Sequence, residues 1–233
     1  RRADAPAAAP TPMQPISLTS PALLARLRRE IERADEDHAA RVRLVPQFPD
    51  GSPARAMQPP ADTAPGRGAV LIALYPQDGE LLVPLTVRSA ALRTHQGEVS
   101  FPGGSADPED GTLEITALRE AEEELGLDRR LVEIWGPLSD VYISVSKFQI
   151  RPFVCWAAAP PPLTAAPDEV AAVVHLPLRR LLGPESVQVE ERLIRGQAVK
   201  VPFYPFGEHK IWGATSIILS QLAARLQAAI DSE

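Results

Sequence analysis

Apolar residues recur along the chain at two spacings. After Ser20, Leu23, Leu24, Leu27 and Ile31 return at helical intervals among Arg and Glu, which predicts an amphipathic helix to about Ala40. "GAVLIALY" and "ELLVPLTVR", separated by "PQDG", predict two strands around a turn. "GEVSFPGG" predicts a short strand running into a glycine turn, and Thr112 to Gly126 predict a helix. Further strands are expected at "VEIWGPLSDVYI" and "KFQIRPFVCWAA", followed by the loop "PPPLTAAPDE" and the apolar strand "VAAVVHLPL". "LPLRRLLG" predicts a short helix and "VQVEERLIRGQAVKVPFYPF" a hairpin. "GATSIILSQLAARLQAAI" predicts a closing helix with Ile217, Ile218, Leu222 and Leu226 on one side. Strands and helices interleave without a strict βαβ repeat, so the expected class is mixed α/β or α+β.

Proline, at 25 residues, divides the chain. Residues 1–19 are Ala/Pro-rich without periodicity and predict a flexible leader, in which Met13 is a candidate initiator. Residues 20–67 hold the first helix and a Pro/Gly-rich connecting loop, and residues 68–233 the main domain. A length of 233 residues with 45% hydrophobic content suits one sizeable domain with its own core. A formal charge of -6 and a pI near 5.4 leave no general basic surface for nucleic acid or anionic lipid. Any phosphate-bearing ligand must therefore meet a local site. The single cysteine, Cys155, lies in the apolar run "PFVCWA" and reads as a buried structural thiol. No apolar stretch approaches the roughly 20 residues of a membrane helix. These features together predict a cytoplasmic protein with neither a nucleic-acid nor a membrane partner.

The acids change the picture. Between Thr112 and Gly126, a helical wheel puts Glu120, Glu123 and Glu124 within an arc of roughly 100°, with Leu118, Ala121 and Leu125 opposite. Glu122 points elsewhere. Like charges at i,i+4 typically cost about 0.2–0.5 kcal/mol, a penalty that a bound cation removes. Hard divalent ions such as Mg²⁺ or Mn²⁺ prefer carboxylate oxygens and combine a few of them with substrate phosphates. Arg119, at i-4 to Glu123, is placed to fix that carboxylate's rotamer. Taken alone, the pattern reads first as an acidic, solvated helix face. Upstream, Gly103 and Gly104 permit a tight turn whose main-chain amides can approach an anion, and Gly126 is placed as a C-cap.

"REAEEELGL", Arg119 to Leu127, resembles at every specified position the second half of the Nudix box, Arg-Glu-apolar-x-Glu-Glu-x-Gly-apolar. The first half departs from that pattern. Gly111 and Ser105 stand where Glu and Gly are usual, and a one-residue-longer loop brings Asp110 and Gly104 into register. The first acid is left open among Glu109, Asp110 and Glu114. "LTVRSAALRTHQGEVSFPGG", residues 85–104, resembles the signature of the coenzyme A pyrophosphatase-like branch, with Pro84 where Leu is usual. The likeness extends to "DEVAAVVHLPL" and "IWGATSIILSQL" and excludes the leader and first helix.

The resemblance implies a Nudix fold, a mixed sheet sandwiched between helices, with an additional N-terminal helix. It implies a divalent-metal-dependent pyrophosphatase with Glu120, Glu123 and Glu124 on Mg²⁺ or Mn²⁺ and Arg119 in the catalytic set. Glu120, Asp168 and Glu169 are candidates for the general base, with Glu169 joining Glu120 in the catalytic set. Arg88, Arg93, Gly103 and Gly104 would bind substrate, the guanidiniums taking phosphate oxygens bidentately. His95 is left aside as an incidental loop histidine. The implied ligand is coenzyme A or an acyl derivative. ADP-ribose or another nucleoside diphosphate derivative is the alternative, and a catalytically silent nucleotide sensor is a rival of another class. Retention of all three box acids argues against the sensor. Tyr204, Phe206 and Trp212 are candidates to stack on adenine or the pantetheine arm, or simply to fill the core. A homodimer through the first helix is expected by analogy with dimeric Nudix proteins.

Overall fold

The computed structural model describes residues 16–33, 38–89, 97–194 and 196–232. Helix α1 (Pro21–Glu32) begins where Ser20 accepts a hydrogen bond from the Leu23 amide at 3.3 Å, with Pro21 in the first turn. The single helix expected to about Ala40 is not formed. Arg33 is extended at the end of α1, and a separate six-residue helix, α2 (His38–Arg43), follows.

Strand β1 (Gly66–Gln77) turns through Asp78 and Gly79, both at positive φ, into antiparallel β2 (Glu80–Arg88). Short strands β3 (Val99–Ser100) and β4 (Gly103–Ser105) pair with β2 and β1 respectively. Helix α3 (Leu113–Leu125) then carries the chain across the sheet. Strands β5 (Glu133–Pro137) and β6 (Val141–Ile143) both pair with β7 (Phe148–Trp156), which runs parallel to β1. Strand β8 (Val170–Pro177) closes the eight-stranded sheet against β2. The predicted hairpin, β9 (Gln188–Ile194) and β10 (Gln197–Phe206), gains an unforeseen third strand, β11 (His209–Ile211). Helix α4 (Gly213–Asp231) ends the described chain.

Residues 69–75 of β1 are buried without the alternation of a half-exposed strand, because both faces of the sheet are covered. Val70, Ile72 and Leu74 meet Leu23, Leu27 and Ile31 of α1 and Ile217, Leu219 and Leu222 of α4 in one cluster. Ala69, Leu71 and Ala73 face Ala117 and Ala121 of α3 in another. Ser220 and Gln221, buried on α4, are partnered: Ser220 donates to the Ala40 carbonyl at 2.8 Å, and Gln221 exchanges two hydrogen bonds with the Ser139 backbone. Because α1 completes the core, Leu27→Ala is expected to lower the unfolding free energy by about 2–5 kcal/mol, read by urea denaturation.

Cys155 is fully buried in the α3-facing cluster, and burial pushes its thiol up to about 12, as suits an inert packing residue. Tyr204 is likewise core, while Trp212 lies under the Arg192 guanidinium, 4.5 Å from the ring centre. Among the described residues no helix is long and apolar enough to cross a membrane.

Candidate active site

The acidic helix is fixed at both ends. The Thr112 hydroxyl accepts from the Ile115 amide at 3.2 Å, and Gly126, with φ 62°, ends the helix in the left-handed region where a side chain is strained. Ala117, Ala121 and Leu125 are fully buried, and small residues on both α3 and β1 allow close approach to the sheet. Gly104 makes that approach possible. A Cβ there would stand 2.5 Å from Oε1 of Glu120. Gly103 and Gly104 form strand β4 rather than the free glycine turn expected. The Gly103 amide nevertheless meets an anion, the Glu124 carboxylate.

Arg119 connects the acids. Its Nε donates to Oδ1 of Asp110 at 2.8 Å, its Nη2 to Oδ2 at 3.1 Å and to the Ser105 carbonyl at 3.2 Å. Its Nη1 donates to Oε2 of Glu123 at 2.8 Å and lies 3.1 Å from Oε1 of Glu120. Asp110 also accepts from the Thr116 hydroxyl at 2.7 Å and the Asp107 amide at 2.9 Å. Of the three acids left open by sequence, Asp110 is therefore the one that anchors Arg119. The hydrogen bonds from Arg119, before those from Asp107 and Thr116, hold its carboxyl well below the usual carboxylate range. Glu122 is turned away, its carboxylate taken by Nε of Arg129 at 3.1 Å.

Glu120 and Glu124 are pulled the other way. Burial raises Glu124 to about 7; the Gly103 amide opposes this, while the charges of Glu120 and Glu169 reinforce it and Arg88 offsets part. Burial also raises Glu120, against Arg119 and with Glu123 and Glu169. Glu169 thus shares the field of the helix acids, whereas Asp168 is not among the leading charges acting on either. Sequence gave no sign of what holds Glu169 there. The amides of Thr164 and Ala166 donate to the carbonyls of Leu125 and Glu124 at 2.7 and 2.9 Å, using acceptors that the last turn of α3 leaves open. Arg88 follows a register shift between β2 and β8, and its Nε is buried without a hydrogen bond. Arg93 and His95 lie outside the described residues.

The donor chemistry suits a hard divalent cation, since the groups are carboxylate oxygens in a partly desolvated, like-charged cluster. Among the described residues no three His, Cys, Asp or Glu side chains converge at ligand distance. Glu120, Glu123 and Glu124 share a helix face, and Arg119 occupies the space between the first two.

A mixed sheet carrying a capped acidic helix with an internally braced arginine defines a class of hydrolase. The NUDIX domain family matches residues 65–196, more than half of the chain. The chain is 41% identical over 145 residues to the uncharacterized Nudix hydrolase NudL of Photorhabdus laumondii, covering 61% of this chain and 76% of that one. It is 39% identical over 171 residues to the chloroplastic Nudix hydrolase 22 of Arabidopsis thaliana, covering 70% of this chain and 56% of that one. A solved MutT/nudix family protein from Enterococcus faecalis superposes with TM-score 0.48 at 16% identity, covering 70% of this chain and 63% of that one. The chain belongs to the Nudix hydrolases, enzymes that act on pyrophosphate bonds and generally use divalent metals.

Proposed function

We propose that this Nudix hydrolase cleaves the pyrophosphate of coenzyme A or an acyl-coenzyme A, consuming one water and releasing 3',5'-ADP and the (acyl-)4'-phosphopantetheine. The observation that supports a diphosphate site is the crowding of the partly buried Glu120 and Glu124 with Glu169, whose charges act on both, together with the unpartnered Nε of Arg88, whose charge acts on Glu124. The arginine-glycine signature of residues 85–104 supports coenzyme A over other nucleotides.

In this reading Glu120, Glu123 and Glu124 hold Mg²⁺ or Mn²⁺. When bound, the ion neutralises the diphosphate and makes water more acidic. Arg119 keeps Glu120 and Glu123 oriented through its anchor on Asp110. Arg88 and Arg93 bind phosphate oxygens and limit the diphosphate to an in-line orientation, which is where much phosphoryl-transfer catalysis lies. Glu169 or Glu120 accepts the proton from the attacking water. The mutual charge effects of Glu120, Glu124 and Glu169, and the loop before Glu169 clasped to the end of α3, support this reading.

The test is a panel of coenzyme A, acetyl-coenzyme A and ADP-ribose with Mg²⁺ or Mn²⁺, products identified by mass spectrometry in ¹⁸O water. Coenzyme A compounds are expected to be turned over at higher kcat/KM than ADP-ribose. A preference for ADP-ribose overturns the substrate and keeps the class. Tight nucleotide binding without turnover in either metal overturns catalysis.

A further inference from the structure

A cleft of about 540 Å³ opens at the sheet edge beside β6, among α1, α2, α4 and the segment around Met57. That volume falls in the range of small-molecule sites. Arg33, Arg41, Arg151 and Arg225 line it, and among the described residues Asp140 is its only acid. Asp140 is already engaged, accepting from Nε of Arg151 at 2.6 Å and Nε2 of Gln149 at 2.7 Å.

Arg41 is the anomaly. It is 7% exposed, its Nε makes no hydrogen bond, and no ion pair to it occurs among the described residues. Beside it, Arg55 gives Nη2 to the Tyr142 carbonyl while its own buried Nε also lacks a partner. Burial, and then the charge of Arg41, lower the Arg55 pKa. A buried guanidinium with no counter-charge among the described residues, set beside a second, half-buried one, is strongly unfavourable, and native proteins keep such arrangements where something neutralises them.

We infer that this cleft is an anion site for a phosphate-bearing small molecule, a phosphomonoester or the phosphate of a nucleotide. Guanidiniums bind phosphate oxygens in planar, bidentate fashion, and with Arg151 already paired to Asp140 and Arg33 to Glu30, Arg41 is the guanidinium left to meet such an oxyanion. None of its lining residues belongs to the acidic helix, so the inference stands apart from the function proposed above. The register nevertheless makes the two sites neighbours: Arg151 pairs with Ala69, and Ala69 with Gly104. Two strand spacings, roughly 10 Å, separate those backbones. Two sources share the chemistry: the far phosphate of a substrate extending from the carboxylates, and a separate nucleotide.

The experiment is calorimetry and thermal unfolding of the whole chain in EDTA, titrated with adenosine 3',5'-bisphosphate and with inorganic phosphate. Wild type is expected to bind the bisphosphate and to melt at higher temperature with it. Arg41→Gln is expected to melt no lower than wild type without the anion, and to bind it about tenfold more weakly or worse. Arg55→Gln serves as the second variant, and the wild-type titration stands whether or not either variant folds. With metal present, a raised KM at unchanged kcat in Arg41→Gln assigns the site to the substrate's own phosphate. An unchanged KM with anion binding lost assigns it to a separate nucleotide. Absence of binding and of any thermal shift in wild type overturns the inference, as does equal binding by Arg41→Gln.

Discussion

Glu124→Gln is expected to lower metal-dependent hydrolysis by about 10²–10³-fold while leaving the metal-free protein at least as resistant to heat as wild type. The size of the loss follows from removing one carboxylate from the set that would hold the ion which neutralises the diphosphate. The stability result follows from burial. A carboxyl whose value in the folded protein is raised costs stability where it must ionise, so the cost is absent below its ordinary range near 4.5 and complete above about 7. Gln keeps the shape and can still accept from the Gly103 amide, so the gain should be largest near pH 8 and should vanish toward pH 4.5. Melting curves in EDTA across that range, with rates in Mg²⁺, check both halves. A fall in melting temperature deep enough to leave the variant unfolded at the assay temperature would make Glu124 a packing residue. Glu123→Gln is the companion: Glu123 is exposed, so only the rate should respond.

Asp110→Asn is expected to lower kcat by about 10–100-fold, the usual scale for a group that orients a ligand without touching the substrate. Asp110 holds two nitrogens of Arg119, whose third nitrogen steadies Glu120 and Glu123. Here the pH dependence has the opposite sign. The folded value is depressed, so the contribution of Asp110 is present above the ordinary carboxylate range and lost as pH falls through the lower folded value. The difference in melting temperature between wild type and Asp110→Asn should therefore be widest near neutrality and close under strongly acid conditions. Asp110→Glu, which restores the charge, is expected to recover part of the rate. A stability deficit that persists unchanged into acid would count against the Arg119 anchor.

The helix, its ends and the succession of strands along the chain around it were legible because each has a local signal. Thr112 and Gly126 mark the ends of α3, and period and charge mark its faces. What was not legible depends on contacts across the chain. The choice of Asp110 over Glu109 and Glu114 is made by Thr116 and Arg119, which reach it from the far side of a turn. The pairing of Gly103 and Gly104 with β1 is made by strand addition, which leaves no trace in two glycines. The end of α1 at Glu32 interrupts no obvious apolar period. The arginine cleft escaped notice because its members lie 118 positions apart, from Arg33 to Arg151, and further still to Arg225.

The clasp between residues 164–166 and the tail of α3 has an evolutionary corollary. Because it grips through main-chain atoms, the segment is free to drift in side-chain identity yet tightly bound in length. Relatives should therefore vary there by replacement and seldom by insertion, and an inserted residue would uncouple Glu169 from its neighbours while the protein still folds.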